Sequence, residues 1–429
     1  MKKQIALLGC LCIGFNSFAQ NPAPANAQRE PILITGATAH LGNGQIINNA
    51  VIGFENGKLV IVAEASRFTG DKSKFKKVID ANGKHVYPGF IDCNSGIGLS
   101  EIDAVRATRD AGETGDMNTN VRSIIAYNTD SKIIPTLRNN GVLLAQIVPR
   151  GGTISGQSSV VEMDGWNWED AAHKTDIGMH LNWPRMYVNK GEDPKQEEKQ
   201  RENMNKALHS IEQFFKEAKA YDRSVPVEKN LRLEAMKGLF DGSKKIFVHC
   251  DFVKEIVAAV NFCKRYEIKM VLVGGDDSWM VTDLLRENNV AVVLGRTHSL
   301  PPREDDDIDL PYKLPFLLKQ GGVMCAQSIE GTWNVRNIGF MTGTSAAYGL
   351  TKEEALMCIT SAPAKILGID ATVGTLEVGK DATFFISSGD ALDVRTNHVE
   401  RAFIRGKDIN LDDVQKQLNA KYKEKYQLK

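Results

Sequence analysis

Between residues 89 and about 370 the chain alternates short apolar runs with stretches of helical spacing. The runs are Phe90–Asn94, Val142–Val148, Ser159–Met163, Met179–Trp183, Lys245–Cys250, Met270–Gly274, Ala291–Leu294 and Val323–Gln327. Most are short and β-branched, as strands buried on both faces are. Helical patterns lie between several of them, as in Lys254–Val260 and Met280–Glu287. Strand-helix alternation predicts an α/β fold with a parallel sheet, and eight strands suffice to close it into a (β/α)8 barrel. Residues 165–245 fit the alternation least. They carry a charged amphipathic helix, about Glu197 to Ala220, that reads as an insertion.

The flanks have a different rhythm. Residues 31–87 read as strands joined by tight turns, with Asn-Gly pairs at 43–44, 56–57 and 82–83. Such pairs favour the positive φ of hairpin turns, so this segment is expected to form a small β-sandwich. Strand patterns return after residue 371. Residues 409–429 read as a terminal helix with alternating charge, a solvated surface helix.

Composition narrows the class of protein. The chain carries 53 basic and 53 acidic residues, so nothing draws it to nucleic acid or makes it an acidic disordered chain. Met1-Lys2-Lys3, the apolar run Ile5–Phe15 and small residues up to Ala19-Gln20 form a signal-peptide pattern over residues 1–20. The expectation is export, to a periplasm, with no membrane span left after cleavage; lipidation at Cys10 is the minor alternative. Residues 21–30 read as a flexible leader. The remaining cysteines, Cys93, Cys250, Cys263, Cys325 and Cys358, are odd in number and widely spaced, which argues for buried thiols and against a disulfide framework.

Two segments carry a resemblance. Tyr87-Pro88-Gly89-Phe90-Ile91-Asp92 enters the first barrel strand, and Gly374-Thr375-Leu376-Glu377-Val378-Gly379-Lys380-Asp381-Ala382 leaves the barrel. Together they resemble the amidohydrolase superfamily, and within it the imidazolonepropionase-like secreted amidohydrolases. The resemblance implies that residues 371–408 rejoin residues 31–87 in one composite sandwich around a barrel at residues 88–370. It also implies hydrolysis of C–N bonds in cyclic amides or small peptide-like molecules by a metal-bound water, at the C-terminal ends of the strands.

The family's metal ligands are only partly present. Its His-x-His on strand one is Asn94 and Gly96 here, no lysine or glutamate matches on strand four, and strand six ends in Val273-Gly274-Gly275-Asp276 without a histidine. His249 on strand five stands at a ligand position, and Glu330 stands where the family has its catalytic aspartate. A catalytic zinc usually takes three protein ligands. The resemblance therefore implies at most one divalent metal, zinc in the family, on His249 and Glu330, and the ligand count equally admits none. Asp251 and Asp276 at strand ends are further oxygen donors. Arg150 in the Gly-rich loop after strand two, His298 after strand seven and Asn94 are expected to contact a small-molecule substrate or ligand. Two functions stay open: an exported hydrolase with an atypical site, and a catalytically silent barrel that binds a small molecule or protein partner. A homo-oligomer is compatible with either.

Overall fold

The computed structural model describes residues 23–188, 194–223 and 228–428. The expected signal peptide lies outside the described residues. Within them the strands are β1 (Ile32–His40), β2 (Ile46–Glu55), β3 (Lys58–Glu64), β4 (Lys77–Asp80), β5 (His85–Pro88), β6 (Phe90–Ser95), β7 (Val142–Ile147), β8 (Ile154–Glu162), β9 (Ala172–Asn182), β10 (Lys245–Cys250), β11 (Met270–Gly274), β12 (Ala291–Leu294), β13 (Cys325–Gln327), β14 (Phe384–Ser387), β15 (Val399–Ile404) and β16 (Lys407–Asp408).

β6 to β13 pair in sequence order into one eight-stranded sheet, a nearly closed barrel. β6, β7 and β8 are buried along their whole length, and β9 in its second half. One expectation is corrected: β8 runs antiparallel to both β7 and β9, whereas the other pairs are parallel. The reason is connection length. A parallel return takes a dozen or more residues, and the links at 148–153 and 163–171 are too short for one. The β7–β8 turn therefore opens at the same end of the barrel as the C-terminus of β6.

The charged segment between β9 and β10 forms the helix Pro194–Asp222. It buries Ile211, Phe215 and Ala218, and Phe215 meets Phe262 of the helix Val253–Tyr266 edge-on with centroids 4.9 Å apart. It thus lies against the barrel's own helical layer.

The two ends of the chain meet in a second sheet. Its order is β16-β15-β14-β5-β1-β2-β3, with β4 also paired to β1. The sheet encloses its own core, in which the rings of Phe54, Phe384 and Phe403 pack at 5.0–5.3 Å. Arg405 from this sheet donates through Nε to Glu162 Oε1 of β8 at 2.6 Å, and Glu162 also meets His173 Nδ1 at 2.9 Å. Residues 23–30, leader-like in composition, are tied down. Ala25 N–H donates to Asp164 Oδ2 at 3.0 Å, and Gln28 Oε1 accepts from Gly57 N–H at 2.9 Å. Val414–Tyr426 is a helix without a buried residue. No helix among the described residues is long and apolar enough to cross a membrane. The cysteines 93, 250, 263, 325 and 358 are buried and unpaired.

Arg138 and Asp164 form a deeply buried ion pair, Nη1 to Oδ1 at 2.7 Å, with side chains 4% and 1% exposed. Removing one partner strands the other charge in the interior. Asp164→Ala is expected to cost about 3–5 kcal/mol of unfolding free energy, measured by chemical denaturation. A loss below about 1 kcal/mol, the range of an exposed pair, would mean that water reaches Arg138.

Candidate functional site

The C-terminal ends of the barrel strands open on a cavity of about 680 Å³, lined among others by Asn94, Arg150, Asn182, His249, Asp251, Asp276, Arg296 and Glu330. The chain builds its floor from buried polar groups. Asp92 on β6 is fully buried; its Oδ1 accepts from Ile329 N–H at 3.0 Å, and its Oδ2 has no partner. Burial pushes its carboxyl up to about 7, against the pull of the Ile329 N–H and the Arg150 charge. Asn94, two residues on, is 5% exposed, and its Oδ1 also lacks a partner.

Arg150 projects from the turn between β7 and β8. The turn needs its glycines: Gly152 has φ +67°, and a Cβ there would stand 2.7 Å from Asp116 O. Thr153 N–H donates to Asp116 Oδ1 at 2.7 Å, and Arg150 N–H donates to Ala111 O at 2.6 Å, so the loop is clamped by residues 111–116. The guanidinium then reaches across the mouth. Nη2 donates to Asn94 O at 3.1 Å, and Nη1 lies 3.4 Å from Glu330 Oε1. Burial works against its charge, while Glu330 and Asp92 support it.

His249 sits at the end of β10, in register with Asn182 of β9. Its Nε2 lies 2.9 Å from His180 Nδ1, and His180 Nε2 lies 2.8 Å from Ser158 Oγ, which accepts from Gln146 Nε2 at 2.8 Å. Two proton arrangements satisfy this row. If Ser158 accepts from His180, then His180 accepts from His249, whose free lone pair is on Nδ1. If Ser158 donates instead, His249 presents an N–H. Burial, with Arg150 adding to it, pulls His249 down to about 3, and burial together with His249 pulls His180 well below the ordinary histidine range. Both rings are neutral at neutral pH.

Asn94, Arg150, His249 and Glu330 therefore share one cavity. Glu330 lies three residues past the end of β13, with a side chain 68% exposed. His298 is not among the lining residues; its Nε2 meets Thr344 Oγ1 at 2.7 Å. Asp251 and Asp276 also line the cavity, both pushed upward first by burial, Asp251 to about 6 with Asp276 the next cause. The Cys250 thiol is raised by burial, so it is no ready nucleophile. In the run Asp305-Asp306-Asp307, Asp306 pairs with Arg303 and Asp307 with Lys313. Sequence reasoning missed Ser158, Gln146, Asp92 and above all His180. The signal for His180 was period two in Met179–Trp183, which puts His180 and Asn182 on one face.

The Amidohydrolase family model matches residues 195–415. This chain belongs to the amidohydrolase family. A curated relative, amidohydrolase tasK of Hapsidospora irregularis, is 21% identical over 351 residues; the match covers 74% of this chain and 36% of that protein, so the chain spans about a third of its length. Among solved structures, an amidohydrolase from Thermotoga maritima superposes with a TM-score of 0.76 at 24% identity, covering 88% of this chain and 99% of the other. An adenosine deaminase from Xanthomonas campestris with bound zinc gives 0.54 at 13% identity, covering 95% and 99%. At these identities the likeness shows the fold.

Amidohydrolases usually bind metals, so the donor set needs testing against one. It does not fit the family's centre. Strand one offers a neutral amide and a glycine, His249 Nε2 faces His180, and Glu330 faces a guanidinium. No group of three or more His, Cys, Asp or Glu side chains that could hold a metal ion is found among the described residues.

The low His249 value sets a pH dependence. Its folded value lies below the unfolded one, so the stability it contributes is present above about pH 6.5 and is lost as pH falls toward 3. His249→Asn is expected to flatten the acid limb of the unfolding free energy between pH 6.5 and 4, measured in urea. An unchanged limb would mean that His249 binds its proton in the folded chain as readily as in the unfolded one.

Proposed function

We propose that this chain is an exported amidohydrolase acting on the C–N bond of a small cyclic amide or peptide-like molecule without a two-metal centre. The observation that supports this reading is the pairing, on one cavity at the strand ends, of a fixed guanidinium with a neutral histidine. In this reading the substrate carbonyl oxygen lies against Arg150, which stabilises negative charge as the tetrahedral intermediate forms. His249, through the Nδ1 lone pair of the first proton arrangement, takes a proton from the attacking water. His249 then gives that proton to the leaving nitrogen, and Glu330, the carboxylate at the rim, assists by holding Arg150 in place. His180, Ser158 and Gln146 fix the His249 ring without touching substrate. Asn94 orients the substrate amide with its unpartnered oxygen, and His298, outside the cavity lining, contacts only the parts of a ligand that reach past the rim.

A second reading is a catalytically silent barrel that binds a small molecule or a protein partner. Asn94 and Gly96, at the positions of the family's strand-one histidines, favour it.

The test is a hydrolysis screen on mature protein against cyclic amides, N-acyl amino acids and dipeptides, with metal content measured on the same sample. The expected result is turnover that resists chelator, less than one tightly bound transition metal per chain, and a loss of about 10²–10⁴-fold in kcat/KM for His249→Asn. Turnover abolished by chelator and restored by zinc would overturn the metal-free part. Binding of a screened compound without turnover would establish the second reading.

A further inference from the structure

We propose that the guanidinium of Arg150 is the resident cation of the barrel mouth, standing where a family metal would stand and excluding one from it. A central metal gathers groups from several strands around one positive charge. Arg150 does the same. Its Nη2 holds the backbone oxygen of Asn94 at the end of the first barrel strand, and its Nη1 faces Glu330 beyond the last. His249 at the end of β10 and Asn182 at the end of β9 line the same cavity as the guanidinium. Glu330 supplies negative charge beside it, as a carboxylate does beside a metal. The loop that carries Arg150 is held from outside by Ala111 and Asp116, so the guanidinium is positioned before any ligand arrives.

The positions that lost histidine match this arrangement. Gly96 is not closed to a side chain: a Cβ there would meet Gly331 O at 3.5 Å and Thr332 Cγ2 at 3.7 Å, ordinary contacts. The glycine is therefore not demanded by sterics. A histidine pair at 94 and 96 would direct two further donors at a place that already holds a cation, and a second cation beside Arg150 in a half-desolvated mouth is opposed by charge. Asn94, neutral and with its Oδ1 unpartnered, brings no charge of its own. The mouth that results takes a ligand oxygen, a carboxylate or a polarised carbonyl, in place of a metal-bound water.

The experiment is zinc binding by competition with a chromophoric chelator, with circular dichroism on every variant. It compares the parent, Asn94→His/Gly96→His, and that pair with Arg150→Met. The expected order is weak binding in the first two and at least about tenfold tighter, stoichiometric binding in the third. Zinc held as tightly by the double variant as by the triple would overturn the proposal, and so would a folded triple variant that binds no tighter. A second measurement covers a triple variant that does not fold. Arg150→Ala is expected to melt below the parent and to be restored by millimolar methylguanidine, which leaves the parent unchanged. No restoration would also overturn the proposal. Neither readout involves turnover, so failure here leaves the hydrolytic reading standing, and the reverse also holds.

Discussion

The barrel closes on a buried carboxylate rather than on a β-ladder. β6 and β13 are the free ends of the eight-stranded sheet, and the seam between them is bridged by separate contacts. Ile329 N–H donates to Asp92 Oδ1, Gly96 N–H to Gly331 O at 2.9 Å, and Ile91 N–H to Ile359 O at 2.8 Å. An open edge inside a core would strand backbone donors, and each of these bonds satisfies one. The acceptor at the centre is a carboxylate raised toward neutrality by its burial. It lies beneath the mouth, so the group that closes the barrel also sets the field that Arg150 answers.

That field shapes the rest of the site. The half-buried guanidinium is opposed by desolvation, and Glu330 and Asp92 near it support its charge. The same positive charge helps keep His249 and His180 neutral. Neutral rings can share protons along a row to Ser158 without adding charge to the interior, which a pair of imidazolium ions could not do. The antiparallel strand β8 makes this possible. β7, parallel to β6, brings the Arg150 turn to the mouth, and the reversal of β8 leaves Ser158 beside Gln146 and within reach of His180.

Around this centre the two ends of the chain act as ties. Glu162 of β8 joins the barrel to Arg405 of the terminal sheet, and Asp164, two residues on, joins it to Ala25 and Arg138. Both carboxylates are desolvated, and each is met by a cation. The polar contacts between sheet and barrel therefore depend on geometry that tolerates little displacement.

The sequence by itself determined the architecture. Short β-branched runs are stable only when buried on both faces, and eight of them alternating with helices leave few alternatives. It also determined that Asn94 and Gly96 follow the Phe90–Cys93 run, since residue identity needs no structure to be seen. Strand ends such as Lys245–Cys250 and Met270–Gly274 were legible to the residue, because apolar periodicity stops where burial stops. The direction of β8 became readable only once its ends at Ile154 and Glu162 fixed the short links on either side, since the period of two is the same in both directions. Tertiary structure alone brought His180 to His249 from 69 residues away and Arg150 to Asn94 from 56. Such contacts are set by how strands neighbour one another around a barrel, and no local pattern in the chain encodes that neighbourhood.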